Sequence, residues 1–96
     1  SAPESAFEAV LPLLRDDVAS DVIELGPTYA GARLVDPELS WLRPELNVTV
    51  IAIQRPGDVA WSGGGRISTT PLTAGTRLAV FGERPDIAAA AERLGR

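Results

Sequence analysis

The chain contains no cysteine, no histidine, no methionine and no lysine. Without cysteine there are no disulfides, no thiolate nucleophile and no thiolate metal ligand. Lacking histidine, it has neither the usual general base near neutral pH nor the commonest transition-metal ligand. All nine basic residues are arginine, which removes Schiff-base chemistry and the phosphate-loop lysine. An enzyme built from this set would rest on carboxylates, Ser/Thr hydroxyls or Tyr29 alone. No apolar run approaches the roughly 18 residues of a membrane span, and no signal-peptide pattern is present. A sequence with no methionine reads as a mature or excised piece.

What is there is globular. Ninety-six residues are 45% hydrophobic and 23% charged, with mean hydropathy +0.07. That is one small domain, which buries roughly two-thirds of the surface its unfolded chain exposes. Nine basic against thirteen acidic residues give a net charge of -4. An acidic chain with no basic face is not a nucleic-acid binder, because phosphate neutralisation needs cations. Repeats and low-complexity stretches are absent.

The first segment reads as a helix. Ser1 and Glu4 have capping-box spacing, and Pro3 sits in the first turn. Phe7, Val10, Leu11 and Leu14 form an i, i+3, i+4, i+7 apolar stripe. Pro12 kinks or splits the helix, which ends near Val18. The stripe packs on the domain's own core or on another subunit or domain. Asp21 to Gly26 reads as a strand ended by a Gly-Pro turn. Asp36-Pro37 looks like a cap and first-turn proline for a short helix to about Leu42.

Leu46 to Arg55 is the strongest strand. Its apolar residues fall on both alternating sets, as expected for a strand covered on both faces. Arg55-Pro-Gly-Asp58 makes a tight turn into a return strand at Val59–Trp61. Ser62 to Arg66 is a glycine-rich loop, Ile67 to Thr70 a brief extended piece, and Pro71 to Gly75 a second turn. Arg77 to Phe81 is an apolar strand. Pro85 opens a last helix with Ile87, Ala90, Ala91 and Leu94 on one side, closed by Gly95. The expected fold is α+β: a small, mostly antiparallel sheet with helices packed on it, with a β-α-β-β-β-α core preceded by an N-terminal helix. Residues 1–19 form the helical segment and 20–96 the domain. Its expected core is Val50, Ile51, Ile53, Leu78, Val80, Phe81, Ile87 and Leu94.

Chemistry-bearing motifs are few. Gly63-Gly64-Gly65 could cradle a phosphate through backbone amides, but it lacks the nucleotide-loop patterns and reads as a hairpin loop. Asp16, Asp17 and Asp21 have no hard-cation spacing and read as solvated charge. Ser62, Ser68 and Thr69 have no His or Lys to activate them. Arg43 follows Trp41-Leu42 and precedes the central strand. Its planar fork suits phosphate or carboxylate, and the alternative is an ion pair with Glu38 or Glu45. Trp41 and Trp61 read as core or interface residues.

Tyr29 to Leu39, Leu42-Arg43, Val50 to Arg55, Gly57-Asp58, Leu72 to Gly75 and Leu78 to Gly82 together resemble the C-terminal domain of regulators of potassium conductance (RCK_C, TrkA-C type). The pieces keep that family's order and spacing over about Val22 to Leu94. Gly75-Thr76 stands where the family has Gly-Asp, and Trp61-Ser62-Gly63 where a proline is usual. The resemblance implies a cytoplasmic regulatory domain, at the cytoplasmic face of the membrane, of a potassium or other cation channel, transporter or cation/proton antiporter. It implies a homodimer acting in cis or as a subunit. In some members the dimer cleft takes a small ligand, notably the cyclic dinucleotide cyclic di-AMP. That cleft falls here on Arg43, Thr49, Val50 and Ile51, with Thr49 in the place of the usual Asn. The resemblance implies no catalysis, metal or cofactor. The other reading is a ligand-free structural dimerisation module of a membrane transporter.

Overall fold

The computed structural model describes residues 18–96. The helix expected before Val18, its kink at Pro12 and the Asp16–Asp17 pair lie outside the described residues. Four strands form one antiparallel sheet: β1 (Val18–Glu24), β2 (Thr49–Gln54), β3 (Ser62–Gly63) and β4 (Arg77–Glu83). Their order across the sheet is β1-β4-β2-β3. A single helix, α1 (Arg84–Leu94), follows β4. Single 3-10 turns occupy Pro27–Tyr29, Pro37–Leu39 and Gly65–Thr69. This is the expected α+β class, with a 3-10 turn where the short helix from Pro37 was expected.

One face of the sheet carries the core. Ile23 in β1, Leu78 and Val80 in β4 and Ile53 in β2 are buried there, and α1 adds Ile87, Ala90 and Leu94. Pro85 starts α1 at a position where a missing N–H costs nothing, and Asp86 lies in its positive first turn. The turns between Leu25 and Val48 close the core with Leu39, Trp41 and Leu42. Gly26 is where the C-terminus of α1 meets the exit of β1. Its N–H donates to the Leu94 carbonyl at 2.8 Å. A Cβ on Gly26 would collide with the Gly95 and Arg96 carbonyls.

The alternation expected along β2 is broken by a bulge between Val50 and Ala52. Ile51 and Ala52 together oppose Ala79, so two successive residues turn to the outer face. Register then resumes with Ile53 opposite Leu78. Ile51 is therefore 42% exposed, against the expectation that it lies in the core. Val50 and Phe81 are half-buried, and the other five expected core residues are buried.

The Arg55–Asp58 turn forms as expected, with Gly57 at φ 88° and Asp58 N–H on the Arg55 carbonyl at 3.0 Å. Its return strand is Ser62–Gly63, not Val59–Trp61. Gln54 Nε2 binds the Val59 carbonyl at 3.1 Å, and Val59 loops out at 94% exposure. The piece expected to be extended over Ile67–Thr70 is instead mostly 3-10 turn.

Ile53 is 2% exposed, beside its cross-strand neighbour Leu78. Ile53→Ala should cost about 2–5 kcal/mol in chemical denaturation, because the surrounding core collapses only partly into the void. A loss near the roughly 0.5 kcal/mol of a surface substitution would mean that the assigned register is wrong.

Candidate functional site

The segment ahead of β2 is held by its own side chains. Pro37 opens the 3-10 turn, and the Ser40 hydroxyl donates to the Pro37 carbonyl at 2.8 Å. Trp41 is 5% exposed, and its Nε1–H donates to the Glu38 carbonyl at 2.8 Å. The Arg93 guanidinium lies over the Trp41 ring at 4.0 Å, and the Tyr29 ring is tilted against it at 6.2 Å. With Trp41 and Leu42 inside, Arg43 is left exposed at the rim. The chain then turns sharply. Asn47 N–H donates to the Arg43 carbonyl and Val48 N–H to the Leu42 carbonyl, both at 2.9 Å. Asn47 takes φ 53°, left-handed backbone that Asn tolerates better than most side chains.

Beside this turn lies a cavity of about 410 Å³. Leu34, Leu39, Val48, Val50 and Ile67 give it apolar walls. Ser40, Thr49 and Ser68 are its polar residues, and Arg43 is the one charged residue among the described residues that line it. Among the described residues, no carboxylate lines it. The ion pairs among the described residues join Arg33 to Asp36, Arg55 to Asp58 and Arg96 to Glu92. None of them uses Arg43, so the expected alternative partners Glu38 and Glu45 do not engage it there. An apolar pocket of this size with a few converging polar groups is the usual form of a small-molecule site.

Three of the four residues expected at the site meet here: Arg43, Thr49 and Val50. Ile51 does not line this cavity. The bulge turns it to the other side of the sheet, where it borders a separate depression with Val22, Ala79 and Phe81. Gly64, from the triplet read as a plain hairpin loop, forms part of the cavity wall with Ser68. Gly64 has φ 82°, a conformation that costs glycine little and other residues more. Ser40, Leu34 and Ile67 were not singled out, and Ser68 was weighed only as a nucleophile without an activating partner. They come from three separate turns, and no local pattern joins them.

The Leu34 wall is fixed by charge. Arg33 donates to the Asp36 carboxylate from its backbone N–H at 2.9 Å, and from Nε and Nη2 at 3.1 and 2.9 Å. The backbone donor first, then the guanidinium, holds the Asp36 carboxyl below its ordinary range. That contribution is present above the ordinary carboxylate range and disappears as pH falls through the lowered value. Among the described residues, no group of three or more carboxylates could hold a metal ion, and no helix is long and apolar enough to cross a membrane.

The Asn47 turn sets where Arg43 stands relative to Thr49. Asn47→Val should destabilise the domain by about 1–3 kcal/mol, since a β-branched residue resists left-handed backbone. Asn47→Gly should fold about as well as the parent. Equal thermal midpoints for the Val variant and the parent would contradict this geometry.

No protein-family model matches the chain, and no curated protein matches it. Solved structures do match. One is the RCK (regulator of conductance of K+) C domain of the potassium transport protein KtrA in complex with cyclic diadenosine monophosphate. It superposes with a TM-score of 0.72 at 18% identity, covering 94% of this chain and 98% of that one. The GsuK RCK domain gives 0.65 at 22% identity, over 95% of this chain and 18% of that one. The GsuK channel bound to NAD gives 0.66 at 20% identity, over 94% and 16%. This chain thus spans under a fifth of the GsuK chains. At these identities the likeness is one of fold, and the chain has the fold of an RCK C domain.

Proposed function

We propose that this chain is a dimerising regulatory domain on the cytoplasmic face of a potassium or other cation channel, transporter or cation/proton antiporter. Its cavity at Arg43 takes half of a cyclic di-AMP molecule. The observation that carries this reading is Arg43 at the rim of a mostly apolar cavity in which no other described residue is charged. A guanidinium fork pairs bidentately with a phosphodiester, and such charge-assisted bonds are about twice as strong as neutral ones. The Ser40 and Ser68 hydroxyls, which donate to the Pro37 and Gly65 carbonyls in the free domain, would rotate to donate to the remaining oxygens, and Val50, Leu34 and Ile67 offer an apolar bed for a flat base. KtrA, whose C domain has the same fold, was solved with this ligand.

A two-fold dianion calls for two such cavities about one axis, each with its own Arg43. The ladder leaves room for a second copy, because β3 covers only Ala52 and Ile53 of β2. Among the described residues, no strand pairs with the Thr49–Val50 end on that side. The net charge of -4 repels anions at long range. Within the cavity the pairing acts at a few ångströms, inside the Debye length of about 8 Å at physiological salt.

Calorimetry should therefore record heat for cyclic di-AMP with the parent domain and none with Arg43→Ala, at unchanged circular dichroism. Arg43→Lys should not restore binding, since a point charge lacks the fork. At one hundred times its dissociation constant, the ligand should stabilise the parent by about 2.7 kcal/mol. No heat for the parent at high micromolar ligand excludes cyclic di-AMP and leaves the ligand-free dimerisation module. Light scattering should give twice the 10.1 kDa chain mass. A monomer at tens of micromolar would remove the dimer from either reading.

A further inference from the structure

The sheet has two faces, and the described residues cover only one. Ile23, Leu78 and Ile53 lie in register across the inner face under α1 and are all buried. Their neighbours Val22, Ala79 and Ala52 form the matching row on the outer face. The next row is Ser20, Phe81 and Thr49. Val22 is 41% and Ile51 42% exposed on this side. A shallow depression of about 440 Å³ runs between β1 and the β2 bulge, bordered by Val22, Ile51, Ala79 and Phe81. The β2 sequence nevertheless has apolar residues on both sides, the composition of a strand covered on both faces. The bulge adds to this by turning both Ile51 and Ala52 outward.

We propose that residues 1–17 of this same chain cover the outer face, with Phe7, Val10, Leu11 and Leu14 laid over Val22, Ile51, Ala79 and Phe81. Three facts point to this occupant. First, the segment joins the sheet at Val18, the first residue of β1, an edge strand that borders the depression. Second, its apolar stripe has the spacing of a helix that buries one side, and the inner face is already occupied by α1. Third, the dimensions agree. Four strands are about 14 Å across at 4.8 Å spacing, and a helix of about 14 residues is about 21 Å long. The small side chains of Ala79 and Ala52 in the central row let a helix lie close. The arrangement is independent of whether the Arg43 cavity binds a ligand, because the residues bordering the depression are not those lining that cavity.

The test uses the full 96-residue chain, whose lack of cysteine makes labelling clean. Hydroxyl-radical footprinting should find Phe81 and Ile51 protected in the parent. Both should react several-fold faster in Leu11→Asp/Leu14→Asp, while Glu8→Ala, off the stripe, leaves them protected. Equal reactivity in all three proteins overturns the proposal. A second measurement identifies the donor chain. In Leu11→Cys/Ala79→Cys, mild oxidation should give a disulfide within one chain, seen as monomer mass on a non-reducing gel. A disulfide between chains overturns the proposal in favour of a segment supplied by a second copy. Protection that survives the Asp substitutions, together with no disulfide, assigns the outer face to some other occupant and overturns it as well. Loss of cyclic di-AMP binding moves neither readout.

Discussion

Two loops that share no strand make most of the cavity wall, and three backbone hydrogen bonds hold them together. Gly31 N–H donates to the Leu72 carbonyl at 2.6 Å, Leu72 N–H to the Ala32 carbonyl at 2.8 Å, and Val35 N–H to the Ser68 carbonyl at 3.1 Å. Ala32 and Leu72 are buried at this seam. Each such bond contributes about 1 kcal/mol net, and leaving its groups unpaired in the interior costs more. The seam places Leu34 beside Ile67 and Ser68. It also delivers the chain to a second junction, where Leu25 N–H meets the Thr76 carbonyl and Gly75 N–H the Leu25 carbonyl. Thr76 is fully buried there, and its hydroxyl meets that of Thr73 at 3.1 Å. From that junction β4 runs between β1 and β2. The site and the central strand therefore depend on the same small set of backbone contacts.

What was legible in the sequence follows from how local each signal is. The helix α1 was readable because Pro85, the 3.6-residue stripe and Gly95 all lie within eleven residues. The Arg55–Asp58 turn was readable because Pro56 and Gly57 fix its backbone. β4 was readable from an apolar run that nothing interrupts. The two-residue β3 was not, because its existence depends on pairing with Ala52 and Ile53 and not on its own residues, Ser62 and Gly63. The β2 bulge was equally hidden. Strict alternation puts Ile53 on the face opposite Val50, and only the pairing with β4 shows that both face inward.

The candidate site divides the same way. Arg43, Thr49 and Val50 were placed by their order around one turn and the start of one strand. Ser68 and Leu34 reach the cavity through the Val35–Ser68 bond, which spans more than thirty residues and leaves no local trace. Gly64 was read as part of a plain hairpin loop, with no reason to put it near Arg43. Its neighbours supply that reason: the Gly65–Thr69 turn carries Ile67 into the core and brings Gly64 to the cavity.

Five of the described arginines are committed to a carboxylate or an aromatic ring, while the side chains of Arg43, Arg66 and Arg84 take no part in the ion pairs of the described residues. Arg33 is committed to Asp36, Arg55 to Asp58 and Arg96 to Glu92. Arg93 is stacked on Trp41, and Arg77 lies over Trp61 at 5.9 Å with Gln54 as a hydrogen-bond partner. A guanidinium over an aromatic face gains attraction without needing a carboxylate, and by this route Arg93 locks the turn that precedes Arg43. Arg43 itself has its backbone fixed by Asn47, while its side chain takes no part in the ion pairs of the described residues. The fixed main chain lowers the ordering cost of any contact made there, while the free guanidinium still has its own rotamer freedom to lose. β2 carries this logic to the other side of the sheet. Val50 faces the cavity, the bulge turns Ile51 and Ala52 outward, and Ile53 returns to the core. Within four residues the strand touches the cavity, the outer face and the inner core.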